Sequence, residues 1–498
     1  MSEISDAIQA SAVARVVGVE TIFKNLRPGV ALLPQRVALF GSSATLATPS
    51  TDKKIVFSAL EVGQTYGFGS PLHLAAEQLF PANGDGLGTI PLTIYPLADG
   101  TTAAAGTITV GGTVQSSDKV YFVKVSEKIS EAILIPETST PAEAVALLVG
   151  GMNANVAMPV LASDSAPVVA VTAKAKGLYG NDLYIEILGE EDGLTFTIVQ
   201  PADATPGAGN PDVQPALDKI GNVWETLILN CLTIDDTANL EKYHVFGEGR
   251  WEPIQPKPIF VYTGNTELSV TAAVVVSDAR KTDRTNRQLV APGSKELPLV
   301  VAARQLVRKA QIANDNPPTD YAGQKADGLE PGPDDQQWTF PERDFAVKAG
   351  SSTIEVVDNV VEMSDTISFF HPTGDLNPAW RYDVDAEKVR NVTFNIRLIF
   401  ESDDWKGKIL IPNGQATTNS NARRPSTAVS AVAKMIAALG LDSIIADPAS
   451  AKKTIVAGIN SSNPKRLDLS FTYQVTGNTS QISITQNWGF FFGSQIAA

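Results

Sequence analysis

The most constraining feature of this chain is a strict alternation of apolar and polar residues close to its C-terminus. The apolar positions are Leu467, Leu469, Phe471, Tyr473 and Val475, and each residue between them is polar. Because successive side chains of a β-strand point to opposite faces, this alternation predicts a strand with one apolar face. After a turn at residues 477–479, the pattern continues at Ile482, Ile484, Trp488 and Phe490. The C-terminal end is therefore predicted to form β-structure.

The N-terminal end carries a second β-prone segment with no adjacent hairpin partner, at residues 13–23. Its apolar positions are Val13, Val17, Val19, Ile22 and Phe23. A strand at a chain terminus must find a sheet that satisfies its backbone hydrogen-bonding groups. One hypothesis is that both ends are exchanged into neighbouring copies of the chain. The alternative is that each terminal strand pairs within its own domain, since sequential strands often pair locally.

The middle of the chain alternates predicted strands and helices. The predicted strands are 36–40, 87–97, 226–232, 258–262 and 288–291. The predicted helices are 71–80, 213–220, 237–246, 269–279 and 298–312. Ser70 and Pro71 supply an N-cap and a first-turn proline for the first of these helices. Such alternation is typical of an open α/β sheet with helices on its faces.

The predicted fold class is α+β and multidomain, as the length of 498 residues leads one to expect. The α/β region is interrupted by an inserted, mostly β subdomain, and a C-terminal α+β domain follows it. In that last domain, alternation over residues 391–400 predicts a half-buried strand, and residues 426–439 predict a helix. The predicted division is 1–26 (N-terminal arm), 27–97 and 166–345 (α/β domain, with an acidic Pro/Gly loop at 314–343), 98–165 (insertion), 346–480 (C-terminal domain) and 481–498 (C-terminal arm).

Composition argues against several classes of partner. The net charge of −15 repels phosphate backbones, so direct nucleic-acid binding is not expected. No run approaches the roughly 20 apolar residues that span a bilayer, and early acidic residues replace the basic start of a signal peptide. We therefore expect synthesis and use in the cytosol without membrane insertion. The single cysteine, Cys231, lies in an apolar run and is expected to be a buried thiol.

Motifs for catalysis, metal binding or cofactor binding are missing from the sequence. The three histidines, His73, His244 and His371, stand in unrelated contexts, and no metal-ligand spacing surrounds them. The glycine-rich stretch at residues 84–88 lacks the form of a phosphate loop, and a turn is the better interpretation. We expect neither a cofactor nor enzymatic activity. The competing hypothesis is a multidomain α/β enzyme or surface-binding protein with a site in the α/β region.

Four segments carry a family resemblance. They are YGFGSPLHLAA at residues 66–76, AKAKGLYGND at 173–182, GAGNPD at 207–212, and PER at 341–343 followed by AGSST at 349–353. In this order and spacing they resemble the tail sheath proteins of contractile-tailed phages, especially the Mu-like group. The resemblance covers about residues 30–400, and the longer acidic segment at 314–332 departs from it.

The resemblance implies a structural protein of the virion tail, assembled in the cytoplasm of a bacterial host. Such subunits polymerise as stacked six-fold rings around a tail tube and contract to drive the tube through the host envelope during genome ejection. The implied partners are other copies of the chain, the tail tube protein, and the baseplate and tail terminator proteins. Terminal arms of sheath subunits add strands to a sheet on neighbouring subunits. The residues expected to mediate that exchange here are Val13, Val17, Val19, Ile22, Phe23, Leu469, Phe471, Tyr473, Ile482, Ile484, Trp488 and Phe490.

Overall fold

The computed structural model describes residues 30–113, 117–190, 193–254, 256–375 and 378–489. The segment predicted as a strand at residues 13–23 and the residue Phe490 lie outside this part of the chain. The described chain packs as two units, a larger one formed by residues 32–394 and 475–489 and a smaller one formed mainly by residues 395–474. Together they contain an open α/β sheet, several smaller sheets and many helices, which confirms the predicted mixed α and β fold class.

The larger unit begins with the centre of its main sheet. Its first elements are β1 (Val37–Ser42), β2 (Lys54–Val56), α1 (Ala59–Tyr66), α2 (Pro71–Leu79) and β3 (Leu92–Leu97). Every residue of β1 and β3 is buried, as expected for strands that are covered on both faces. Helix α2 begins as predicted, because the Ser70 side chain accepts a hydrogen bond from the His73 backbone N–H and Pro71 occupies the first turn.

The insertion that follows β3 consists of two antiparallel four-stranded sheets and a helix. Its elements are β4 (Ala105–Gly112), β5 (Lys119–Val125), β6 (Lys128–Ile129), β7 (Ile133–Ile135), α3 (Pro141–Ala154), β8 (Val160–Ser165), β9 (Val168–Ala173), β10 (Ile185–Gly189) and β11 (Leu194–Val199). One sheet has the order β11-β4-β9-β8, and in the other β5 is flanked by β10 and by β6 and β7. Because β11 pairs with β4, the sheet that begins in the insertion continues to residue 199.

The chain then returns to the main sheet. The elements are α4 (Pro201–Ala204), α5 (Gln214–Asp218), β12 (Leu227–Asn230), α6 (Thr237–Gly249), β13 (Phe260–Asn265), α7 (Val270–Ala273), α8 (Val275–Asp278), β14 (Asn286–Val290) and α9 (Pro298–Asp315). The sheet order is β14-β13-β12-β1-β3-β2, and its strands are parallel except β2, which runs antiparallel to β3. The predicted open α/β region is therefore present. The helix predicted over 269–279 is divided into the short helices α7 and α8.

The rest of the larger unit lies beyond α9. After the Pro/Gly segment come α10 (Phe340–Lys348), the hairpin of β15 (Thr353–Val357) and β16 (Val360–Asp365), and α11 (Asp383–Phe400). Helix α11 crosses from the larger unit into the smaller one along the chain.

The strand predicted over residues 391–400 is wrong, because these residues form the second half of α11. The apolar alternation holds only over this short window, whereas the helix begins eight residues earlier at Asp383. The alternation also predicts that the polar residues face solvent, whereas Asn391 and Asn395 are buried. Asn391 accepts a hydrogen bond from the Leu33 backbone N–H at 2.8 Å, so a polar side chain lies where a half-buried strand needs a solvent-facing one.

The smaller unit contains short strands around two helices. Its elements are β17 (Ile409–Leu410), β18 (Ala422–Arg423), α12 (Pro425–Leu441), β19 (Ile445–Ala446), α13 (Pro448–Lys453), β20 (Val456–Ile459) and β21 (Leu467–Ser470), and β22 (Gln474–Val475) lies at its end. The helix predicted over 426–439 is confirmed as α12. Helix α12 packs against β20 and β21, which form an antiparallel pair.

Candidate assembly site

The C-terminal alternation continues as a pattern of burial up to residue 475. Leu469, Phe471 and Tyr473 are half-buried, whereas the intervening Ser470 and Thr472 are exposed. The rings of Phe471 and Tyr473 stack with their centroids 5.7 Å apart, and burial raises the pKa of the Tyr473 hydroxyl. These three predicted site residues therefore form an apolar face within the smaller unit, where Leu469 is paired with Ala457 across the β20–β21 hairpin.

Beyond Val475 the same alternation lies on the surface. Ile482, Ile484 and Trp488 have exposed fractions of 75%, 81% and 78%. Within the described part of the chain, no residue from 476 to 489 belongs to a strand. Three large apolar side chains thus face solvent at the spacing of one strand face. The structure thus separates the predicted C-terminal site residues into an inward-facing group and an exposed group.

The exposed segment also lacks charge. From Leu469 to Ala498 the sequence contains no Asp, Glu, Lys, Arg or His, although the whole chain carries a net charge of −15. Proteins normally protect exposed strand material from pairing with other chains by placing charged residues or proline on it. An uncharged, proline-free segment of high β-propensity has the composition of a strand that pairs with another chain. This charge-free stretch can be recognised from the sequence alone.

A buried lysine holds the beginning of the exposed segment. Lys388, in helix α11, has a fully buried side chain. Its ammonium group donates to Asp385 Oδ1 at 3.1 Å, to the Thr476 carbonyl oxygen at 2.6 Å and to Asn478 Oδ1 at 2.5 Å. An ammonium group has three N–H donors, and each finds an acceptor here. Lys388 therefore links the segment to a helix that precedes it by about ninety residues.

Asn478 extends this link to a second part of the larger unit. Its Nδ2 group donates to the Pro318 carbonyl oxygen at 2.8 Å, while its Oδ1 accepts from Lys388. Pro318 lies in the Pro/Gly segment that follows α9. Sequence reasoning missed both Lys388 and Asn478, because no local spacing connects residues so far apart.

The first turn of α11 is fixed by a buried charge cluster. The Asp383 carboxylate accepts hydrogen bonds from Arg287 Nε at 2.6 Å and from the Lys309 ammonium group, and all three side chains are almost completely buried. Burial alone would raise the pKa of Asp383, but Lys309 and Arg287 together lower it. The helix that carries Lys388 is therefore tied to both β14 and α9, which makes it a firm support for the C-terminal segment.

The β20–β21 hairpin offers edges to which another strand could be added. Among the described residues, β20 and β21 pair only with each other. A two-stranded sheet is marginally stable alone and gains from packing against a helix or from further strands. Here α12 covers one face, and within the described ranges no strand is paired to the outer edges of the hairpin.

Potential metal-ligating side chains are dispersed among the described residues. No group of three or more potential metal-ligating side chains occurs among them. His73 Nδ1 accepts a hydrogen bond from the Gly69 backbone N–H, and His371 lies within hydrogen-bonding distance of Asp278, so these histidines are engaged in different parts of the fold. Cys231 is buried as predicted, and burial raises the pKa of its thiol strongly.

A cavity of about 520 Å³ lies beside α9, in the α/β region where the competing hypothesis places a site. Amide side chains and the 85–90 loop form most of its lining. Arg308, the cation in this lining, donates from Nε and Nη2 to Gln324 Oε1 at 3.1 and 2.8 Å. The lining of this cavity contains neither a histidine nor a cysteine.

No helix in the described ranges has both the length and the apolar character needed to cross a membrane.

Solved structures that are similar to this chain over most of its length include tail sheath proteins and the sheaths of contractile injection systems. A sheath tail protein of Listeria innocua is 13% identical, with 90% of this chain and 94% of that chain covered and a TM-score of 0.48. A sheath tail protein of Desulfitobacterium hafniense is 12% identical, with coverage of 92% and 100% and a TM-score of 0.44. The helical sheath of the anti-feeding prophage in its contracted state is 11% identical, with coverage of 96% and 100% and a TM-score of 0.49. This is the class that the sequence motifs resemble. No protein-family model and no curated protein sequence matches the chain.

Proposed function

We propose that this chain is a structural subunit of a contractile tail sheath, and that its copies are joined by strand exchange through the C-terminal segment. The observation that carries the proposal is the exposed, uncharged alternation of Ile482, Ile484 and Trp488, which begins directly after a firmly held turn. Rings of six subunits around a tail tube, association with a baseplate and contraction are the finer parts of the proposal. They rest on the sequence resemblance.

Strand addition accounts for the composition of the segment. An added strand forms main-chain hydrogen bonds with an open sheet edge, and alternate side chains fill pockets that fix its register. The apolar positions Ile482, Ile484 and Trp488 would extend the apolar face of an acceptor sheet, and the polar residues between them would face outward. The β20–β21 hairpin of a second copy is the acceptor we propose, because both of its outer edges are available among the described residues.

Charge on one face of the segment tests the proposal. The double variant Ile482→Lys/Ile484→Lys places two ammonium groups on the apolar face, where docking would bury them without partners. The matched control Ser483→Lys/Thr485→Lys adds the same charge on the opposite face. Both pairs are exposed, so thermal melting of the isolated subunit should be unchanged within the scatter typical of surface substitutions.

Electron microscopy and sedimentation of the purified proteins give the readout. We expect hollow striated tubes from the wild type and from the Ser483/Thr485 variant, and only dispersed subunits from the Ile482/Ile484 variant. Normal tubes from the Ile482/Ile484 variant would overturn the proposed strand exchange. A wild-type protein that remains monomeric at high concentration would contradict the sheath function itself.

A further inference from the structure

We infer that Lys388 is a positioning residue that fixes the direction in which the C-terminal segment leaves the larger unit, so that the segment is presented to a second copy of the chain. The inference rests on the proposed function, and it assigns to a buried side chain a role in assembly. It is carried by the three hydrogen bonds of the Lys388 ammonium group, two of which go to the segment.

A buried ammonium group is costly unless all of its donors are satisfied. Asp385, one turn away on the same helix, supplies the counter-charge and one acceptor. The other two acceptors lie on either side of Gly477, at Thr476 and Asn478. A purely local ion pair needs only Asp385, whereas this arrangement makes the burial of Lys388 depend on the position of the segment.

The boundary between the held and the exposed part of the segment is sharp. Asn478 is held from two sides, by Lys388 and by the Pro318 carbonyl oxygen. Each residue from 479 to 489 is exposed. Residues 476–478 thus act as a fixed root for the exposed part of the segment. Ile482, the first of the exposed apolar residues, lies only four positions beyond Asn478.

A fixed root lowers the entropic cost of docking the segment onto a second copy. A segment that must be ordered on binding loses conformational entropy, and this loss reduces the affinity of association. When the root is already held, fewer backbone torsions remain to be fixed, and the register of the added strand is partly set before contact. Lys388 and Asn478 supply this pre-organisation without touching the partner.

The sharpest test uses Asn478, because its substitution keeps Lys388 and the contacts of Lys388 with Asp385 and Thr476. Asn478→Ala removes the Lys388 and Pro318 hydrogen bonds of the side chain, and Asn487→Ala, in the exposed part of the same segment, is the matched control. We expect Asn478→Ala to accelerate amide hydrogen exchange at residues 476–479 of the isolated subunit. It should also raise the critical concentration for tube formation by about tenfold. Asn487→Ala should change neither quantity.

Two further variants separate positioning from general stability. Asn478→Asp keeps the acceptor for Lys388 and loses the donor to Pro318, so it should restore most of the assembly lost in Asn478→Ala. Lys388→Met keeps the side-chain length without the ammonium group. We expect it to raise the critical concentration at least as much as Asn478→Ala, with the exchange increase concentrated at residues 476–479.

The outcomes distinguish this inference from the proposed function. Wild-type critical concentration and wild-type exchange at residues 476–479 in Asn478→Ala would overturn the role of Lys388, even if charge on Ile482 and Ile484 still abolishes tubes. Uniformly faster exchange throughout the larger unit in Lys388→Met, with no rescue by Asn478→Asp, would also overturn it, since that is the signature of a structural lysine. Normal tubes from the Ile482/Ile484 variant would instead refute the proposed function.

Discussion

Asp383 is the centre of a buried set of charged side chains in the interior of the larger unit. Its carboxylate is shared by Arg287 and Lys309, and the Tyr262 hydroxyl donates to it at 3.3 Å. Removing one member of a buried set leaves the others without compensation, which costs far more than the set contributes when complete. The cluster therefore fixes one arrangement of β14, α9 and α11 more than it adds net stability.

The substitution Asp383→Asn should be strongly destabilising, because it leaves two buried cations without a counter-charge. We expect the free energy of unfolding of the larger unit to fall by about 3–5 kcal/mol, measured by urea denaturation. The control is Asp344→Asn, which breaks the exposed ion pair with Lys348 in α10. That change should cost no more than about 0.5 kcal/mol. Equal effects of the two substitutions would contradict the special role of the buried cluster.

Glu127 gives the larger unit a defined pH dependence. This residue lies in the turn between β5 and β6, and burial, with a contribution from nearby Glu296, raises the pKa of its carboxyl group to about 7 from an ordinary value of 4.5. The folded protein therefore binds this proton more tightly than the unfolded chain does. The stabilising contribution of the protonated group is complete below pH 4.5 and is lost as the pH rises through about 7.

The substitution Glu127→Gln removes this titration while keeping the shape of the side chain. At pH 8 the variant should be more stable than the wild type by about 1–3 kcal/mol, and the difference should shrink toward zero near pH 4.5. Denaturation at the two pH values measures it. A difference that is the same at both pH values would mean that the Glu127 carboxyl group does not titrate as described.

At the scale of elements, the helix α11 shows where local pattern fails. The parallel strands β1, β12 and β13 were predicted because each is a short apolar run bounded by turns, and burial on both faces demands such runs. In α11 the apolar side chains of residues 392–400 satisfy a period of two by coincidence. The helix is instead consistent with the hydrogen bonds of its buried polar residues. The partners of these residues lie in remote segments, such as the one containing Leu33.

Replacement of Asn391 by Ala tests this explanation. The change removes the acceptor for the buried Leu33 backbone N–H, and an unsatisfied buried donor costs about 1–3 kcal/mol. Thr393→Ala is the matched control on the same helix, since Thr393 Oγ1 donates to the Val389 carbonyl oxygen of its own helix. Alanine favours the helix, so this control should be close to neutral in denaturation experiments. A neutral Asn391→Ala variant would show that the Leu33 contact does not help to hold α11.

At the scale of the whole molecule, the C-terminal site was partly predictable. The alternation of Ile482 and Ile484 and the absence of charge are visible in the sequence, because a strand that pairs with another chain carries its own pattern. The hydrogen bonds that hold the root of the segment were not predictable from the sequence. The contact between Lys388 and Asn478 depends on how the fold brings together α11 and the Pro/Gly segment. The exchange of residues 13–23 remains a prediction, since that segment lies outside the described residues.

The proposed strand exchange would make every copy both a donor and an acceptor, and this predicts the behaviour of a copy that can only accept. A chain ending at Thr479 keeps the β20–β21 hairpin and the anchored root but lacks the donor strand. Incorporated into a growing assembly, it would receive a neighbour's segment and pass none on, so a minority of such chains should shorten wild-type tubes, as measured by electron microscopy. The same amount of the Ser483→Lys/Thr485→Lys variant, which still donates its apolar face, should leave tube length unchanged. If the truncated chain does not alter wild-type tubes even at an equimolar ratio, copies are not connected through this segment, because a connected line of subunits cannot continue through a member that donates nothing.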